Sequence, residues 1–438
     1  MFIALFLPLL ITVSGLWMLI CLRGGFFLHP IKAGKCVALA LERKGAKKSL
    51  ALALAGTLGV GNIIGVAVGI SVGGAGSVPW MLISCLFSSV LKFSEASLAC
   101  SMCRCETGGM MYIIRKTFSG AGKCLSLVYA FLCLLLGWFM GSALQVSSAV
   151  ECVEIATQIP LMCFFAIFVI CFLFVIAKGI MSIEKFTVVV IPTATVLYIC
   201  LAFWCLGLNF YKIPSITDAM IREAFSLGGA GGGIAGFLSS KVITEGYSRG
   251  LLSNEAGAGT STIAHARNSN SEPYEVGMLG VCEVVFDTLV LCLITAFAIL
   301  VSVDEPQSFE SGVELIMASI GSSFGGKATF LVILCIVAFS FSTVVCWYYY
   351  GMECYCYIFK RKAGALYVIA FLLSIILGFF LKVERFVVIS DYILLLLTFI
   401  SCITVIKNSG KVKNHAGDML AYTLASIPKE ASFDSSDK

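Results

Sequence analysis

The chain has 438 residues, of which 59% are hydrophobic and 13% charged, with a formal net charge of +5 and a mean hydropathy of +0.99. A soluble domain is about half apolar and a quarter charged, so that class is excluded. Apolar runs of membrane-spanning length recur along the chain, which makes it a polytopic helical membrane protein, and its positive charge reports topology rather than a nucleic-acid partner.

The first run, Ile3 to Leu22, lacks the basic start and small-residue cleavage site of a signal peptide and reads as a retained helix. Eleven spans follow from the hydropathy pattern, at about 3–22, 49–72, 78–101, 124–148, 161–177, 186–207, 219–246, 277–302, 328–358, 364–381 and 386–406. A polar, Gly-rich segment follows the seventh, from about 247 to 275. With the N-terminus outside and the C-terminus cytoplasmic, 24 of the 30 Lys and Arg residues fall in cytoplasmic segments, one of which is 241–276, and five fall outside. That asymmetry is what the positive-inside rule demands, and it places the chain in a plasma (inner) membrane.

The second span contains the stretch Gly56 to Gly76, with eight glycines in 21 residues and Asn62 as its one strongly polar side chain. A phosphate-cradling loop is excluded, since Gly59, Gly61 and Gly65 have the wrong spacing and no strand precedes them. Gly61, Gly65, Gly69 and Gly73 recur every four residues, as in close helix packing. Gly56, Gly59 and Gly61 cluster before Asn62 and read as a helix break, tolerated in a bilayer only where the backbone is buried in protein or lines a cavity. The seventh span is also glycine-rich, at Gly228, Gly229, Gly231, Gly232, Gly233 and Gly236, and supplies a second break. The expected architecture is therefore all-α, with two Gly-broken helices opening two inverted five-helix repeats. Residues 1–22 form an extra N-terminal helix, 23–48 a cytoplasmic basic segment, 49–207 the first repeat, 208–218 an external loop, 219–406 the second repeat and 407–438 a cytoplasmic tail.

Ionisable residues inside spans are expensive in lipid and face protein or water. Lys92 and Glu95, at i and i+3, are spaced to pair. Asp287 either joins a cation site or pairs with Arg249 or Lys241. Ser253 to Gly257 reads as a capped helix start at the cytoplasmic mouth, and His265, without a nucleophile partner or metal-ligand spacing, as a surface histidine. In the ninth span Ser340, Thr343 and Trp347 lie on one helix face. Most of the 20 cysteines sit inside apolar runs and behave as small hydrophobes. The two C-x-C pairs, Cys103/Cys105 and Cys354/Cys356, offer only a weak case for a thiolate metal site.

The stretches Gly56–Ala67, Gly108–Lys116, Ser248–Ala266, Val285–Val290 and Phe339–Gly351 together resemble the signatures of the alanine/glycine:cation symporter family, also called sodium:alanine symporters. The Ser-Asn-Glu-Ala-Gly stretch is the most specific, and the matches run in the family's order. The resemblance implies a leucine-transporter-type fold and uptake of small neutral amino acids with sodium, or sometimes protons. It aligns Thr343 and Trp347 with substrate-pocket positions. Ser142 to Ser147 departs from the family's third-helix pattern, keeping only Gln145.

On this reading Gly59, Gly61, Asn62, Gln145, Phe225, Gly231, Gly232, Thr343 and Trp347 form the substrate site. Half-helix N–H groups would take the carboxylate, Gln145 and Asn62 the ammonium, and Trp347 and Phe225 would cap a small side chain. Sodium would sit among Gly59, Asn62, Ser340 and Thr343, whose carbonyl and hydroxyl oxygens suit a hard cation. No catalytic constellation and no cofactor are expected. The rival class is a non-transporting membrane assembly protein whose glycine faces only pack helices.

Overall fold

A backbone in hydrocarbon must satisfy its own hydrogen bonds, and long apolar runs therefore fold as helices. The computed structural model describes residues 2–43, 45–103, 108–225, 240–268, 271–321, 323, 326–360 and 364–425, and every regular element among them is helical. In chain order the first are α1 (Phe2–Cys21), α2 (Pro30–Glu42), α3 (Ala46–Thr57), α4 (Ile64–Gly73), α5 (Ser77–Met102) and α6 (Gly122–Ala156). Next come α7 (Leu161–Ile176), α8 (Ile180–Leu208), α9 (Ile213–Ala224) and α10 (Lys241–Asn254). The last are α11 (Pro273–Ser302), α12 (Gly312–Gly321), α13 (Gly326–Phe359), α14 (Gly364–Phe380), α15 (Val383–Lys407) and α16 (Ser409–Ala425). Six of them, α5, α6, α8, α11, α13 and α15, are long and apolar enough to cross a membrane; α3 with α4 makes a seventh if the bent pair is one span. The apolar helices α1, α7, α12 and α14 are shorter.

The packing is organised around α5, which lies against α1, α10 and α11. Small residues set these distances. A β-carbon at Gly246 of α10 would stand 2.5 Å from the Ser77 carbonyl oxygen, and one at Gly277 of α11 would stand 2.7 Å from the Phe93 ring. On the other side α13 packs along α6 and α8. There Gly141 of α6 leaves room for the Trp347 indole, which a β-carbon would overlap.

The second predicted span is broken where its glycines cluster. α3 ends at Thr57, a single turn covers Val60–Asn62, and α4 resumes at Ile64 with a 61° bend between the two halves. The later glycines of that span do a different job. Gly69 and Gly73 face Arg249, Glu245 and the Lys241 carbonyl, so they bring α4 against α10.

The region from 241 to 276 differs from the cytoplasmic segment that the charge count assigns it. α10 continues to Asn254, with its Lys241 end beside Gly73 and its lower end beside the first break, where Gly61 stands against Leu252 and Ser253. Ser253 to Gly257 is therefore a helix end and not a helix start. Glu255 is in the left-handed region (φ 51°), and Gly257 and Gly259 follow with φ of 90° and 79°. The reason for the misreading is that Ser, Asn and Glu suit both a helix entry and a polar interruption. The glycine run from 228 to 236 expected to hold the second break lies outside the described residues.

Because Gly246 abuts backbone atoms of α5, Gly246→Leu should overpack that seam and cost about 1–3 kcal/mol of stability. Thermal unfolding in detergent should show a lowered Tm. Gly207→Leu, where nothing lies within 4 Å of the added carbon, should leave the Tm unchanged.

Candidate functional site

The chain is interrupted a second time where α10 ends at Asn254, and this interruption meets the one at Val60–Asn62; the site is built from what each of them frees. At the first, the last turn of α3 presents carbonyls that have no helical partner. Thr343 of α13 donates its hydroxyl to the Ala55 carbonyl at 3.0 Å, with the Leu58 carbonyl at 3.5 Å. Trp347, one turn further along α13, donates its indole N–H to the Gly56 carbonyl at 3.3 Å. The freed Val60 N–H donates to Gln145 Oε1 at 3.1 Å. Gln145 is aimed there because α6 loosens into a π-helical segment, Phe139–Leu144, and its amide donates back to the Met140 carbonyl. Gly59 has no room for a side chain, since a β-carbon would lie 2.8 Å from both Gln145 Oε1 and Thr343 Oγ1.

Asn62 joins the first break to the second. Its amide nitrogen donates to Asp287 Oδ1 at 2.5 Å, and Ser253 at the end of α10 donates to Asp287 Oδ2 at 2.5 Å. Thr288 donates to the same Oδ2 at 3.1 Å. Asp287 also stands on a π-helical segment, Val285–Cys292 of α11, and is fully buried. Asn62 Oδ1 has no hydrogen-bond partner here, nor does Ser340 Oγ, one turn before Thr343 on α13. An unsatisfied buried polar group costs about 1–3 kcal/mol, so both oxygens are free to accept a further contact. Two small spaces flank Gly59. One, lined by Gly61, Gln145 and Glu255, is a crevice of only about 10 Å³. The other, between Asn62, Tyr198 and Phe339, is closed even to a water.

Of the residues expected in the site, Gly59, Gly61, Asn62, Gln145, Thr343 and Trp347 gather at these breaks, all but the backbone glycines through buried side chains, and Ser340 is buried one turn before Thr343 on α13. Trp347 is wedged between Gly56 and Gly141, behind the last turn of α3. Phe225 stands apart at the end of α9, 52% exposed and packed on Trp80. Gly231 and Gly232 lie outside the described residues.

The ionisable groups pair differently from the sequence expectation. Lys92 does not bond Glu95; it meets Glu283 at 2.9 Å and the Asn254 carbonyl at 3.0 Å. Glu95 instead accepts from Ser401 at 2.7 Å. Arg249 pairs with Glu245 and Asp391, leaving Asp287 to Asn62 and Ser253. His265 is fully buried, not on the surface, with Nε2 3.0 Å from Glu283 Oε2. Ser253, Asn254 and Glu255 are buried too, and Glu255 accepts from Thr260 at 2.5 Å. The available sequence signal was the i, i+4 spacing of Glu283 and Asp287, which puts both acids on one face of α11. Among the described residues no group of three or more His, Cys, Asp or Glu side chains is arranged to hold a metal ion. The described cysteines are all free, and Cys105 lies outside the described residues.

The chain has clear relatives. The model of the sodium:alanine symporter family matches residues 3–426. The sodium/alanine symporter AgcS of Methanococcus maripaludis is 30% identical over 387 residues, covering 83% of each chain. The probable sodium/glutamine symporter GlnT of Bacillus subtilis is 28% identical over 364 residues, covering 82% of this chain and 75% of GlnT. Among solved structures, MhsT in complex with L-phenylalanine aligns with a TM-score of 0.60 at 14% identity, over 88% of this chain and 98% of MhsT. That likeness shows a shared fold, which is of the leucine-transporter type.

Asn62 and Ser253 grip opposite oxygens of one buried carboxylate, so their contributions should couple. Asn62→Ala and Ser253→Ala should each lower thermal stability. The double variant should depart from the sum by about 0.5 kcal/mol or more; strict additivity in chemical denaturation would show that Asp287 does not link the breaks.

Proposed function

Because the chain belongs to the sodium:alanine symporter family, we propose that it takes up a small neutral amino acid, alanine or glycine, by symport with sodium. The observation that carries this reading is the meeting of two helix breaks around buried oxygens without partners, Asn62 Oδ1 and Ser340 Oγ. Hydroxyl and carbonyl oxygens form a donor set for a hard monovalent cation, and Thr343, Ser340 and the Ala55 and Leu58 carbonyls provide it here. Sodium sits among them and beside Gly59 and Asn62. The amino acid lies between Gly61, Gln145 and the Asn62 side chain, with its carboxylate on the N–H groups that open α4.

Coupling has a physical necessity. A zwitterion has no net charge, so the membrane potential does not concentrate it. One co-transported cation contributes about 2.3 kcal/mol per 100 mV, or roughly fifty-fold accumulation at 1.4 kcal/mol per tenfold. We place the protein in the plasma membrane with its N-terminus outside, eleven spans, and two inverted five-helix repeats that rock around the breaks. The buried carboxylates favour a second reading in which a proton replaces sodium, since Glu95 has an oxygen without a partner.

Uptake of labelled alanine and glycine into proteoliposomes should depend on an inward sodium gradient, and a pH gradient alone should not support it. Thr343→Val removes one proposed sodium ligand and should raise the sodium needed for half-maximal uptake about tenfold, the equivalent of one hydrogen bond to an ion. An unchanged sodium curve would remove Thr343 from the site. Uptake driven by a pH gradient without sodium would establish the proton reading.

A further inference from the structure

The two breaks are not equivalent in charge. At the first, the carbonyls freed from α3 meet neutral donors, the Thr343 hydroxyl and the Trp347 indole, and the Ser340 hydroxyl beside them is unpartnered. At the second, the carbonyl end of α10 meets an ammonium group. Lys92 Nζ lies 3.0 Å from the Asn254 carbonyl oxygen and 2.9 Å from Glu283 Oε1. Lysine and glutamate side chains are both wholly buried.

We propose that Lys92 is a tethered cation: its ammonium holds the carbonyl end of α10, neutralises Glu283, and thereby keeps solution cations out of this half of the site. The inference rests on reading the two breaks as the transport site, but not on which amino acid or ion is carried.

The surroundings of Lys92 are built for this role. Its stem crosses α11 at Gly280, where a β-carbon would lie 3.3 Å from Lys92 Cγ and 3.1 Å from its carbonyl oxygen. Glu283 is held from the far side by His265 at 3.0 Å, so the carboxylate faces the lysine with its other oxygen. Glu95, on the same helix as Lys92, accepts from Ser401 with one oxygen only and adds its charge to the field around Lys92. The Asn254 side chain fixes the carbonyl end of α10 by donating to Thr288 and accepting from the Ala256 N–H. The end of a half-helix carries partial negative charge from its unpaired carbonyls, and in a low-dielectric interior that charge and a carboxylate together demand a cation. The chain supplies its own.

Removing the charge while keeping the bulk should therefore create a place for sodium. The test uses purified full-length protein in detergent without any amino acid, with thermal unfolding followed in sodium chloride and in choline chloride. Lys92→Met should gain a sodium-specific rise in Tm a few degrees larger than that of the unsubstituted protein, as expected for a ligand that binds only the folded state. Lys92→Arg should respond like the unsubstituted protein. Lys92→Met combined with Glu283→Gln should lose the extra sodium response, because the carboxylate that attracts the ion is gone. A sodium response of Lys92→Met equal to that of the unsubstituted protein overturns the proposal. So does an extra response that persists in the double variant. If Lys92→Met does not fold, the unpaired Glu283 is the stated cause, and the double variant must restore folding; its failure to do so overturns the proposal as well. Loss of uptake in these variants bears on the transport reading alone.

Discussion

A polypeptide that interrupts a helix inside a bilayer must find partners for every carbonyl and amide it releases, because the hydrocarbon offers none. Most of what is distinctive in this protein follows from that constraint. The break at Val60–Asn62 recruits Gln145, Thr343 and Trp347 from two other helices, each bonded to main chain and not to a side chain. Those helices must come close for the bonds to form. The glycines at 56 and 59 are the condition for that approach, since a β-carbon there would meet Tyr350 at 3.1 Å or Gln145 and Thr343 at 2.8 Å, and Gly61 does the same for α10, 3.2 Å from the Leu252 carbonyl oxygen. Glycine thus serves here less for unusual backbone angles than for the absence of a side chain.

The same constraint accounts for the loosened helices. α6 and α11 each carry a π-helical segment at the level of the breaks. A π-bulge alters the direction of the side chains that follow it and is frequent at functional sites. In α6 the bulge delivers Gln145 to Val60; in α11 it carries Asp287 to Asn62 and Ser253. Two intact helices would have presented other faces. The site is thus assembled from four irregularities in one layer of the fold, two full breaks and two bulges, while α5 stays regular and supplies the surface they pack on.

Electrostatics then divides the layer. On one side the Asp287 carboxylate is gripped by three neutral donors, Asn62, Ser253 and Thr288. On the other side Lys92, Glu283 and His265 form a closed set of contacts around the end of α10. Breaking such a buried pair leaves an uncompensated charge at a cost of roughly 3–5 kcal/mol. This side is accordingly held by charge pairs rather than by neutral donors.

Composition and periodicity by themselves determined the membrane class, the all-helical fold and the first break, because the apolar run length and the local loss of side chains are properties of contiguous residues. Asn62 was legible as the one strongly polar side chain beside the break, and Ser340, Thr343 and Trp347 as one face of a helix, whereas Gln145 came only from the family resemblance. What the sequence did not show was pairing. Lys92 is spaced to meet Glu95 but bonds Glu283, 191 positions away, and His265 is buried against the same acid. The polar stretch at Ser253 reads as a helix start at the cytoplasmic mouth until α10 is seen to end there, against Gly61. A buried charge is stabilised by whichever partner the packing brings within about 3 Å, not by the nearest in sequence. Only the tertiary structure decided which charges meet, and with them which end of which broken helix is met by a charge.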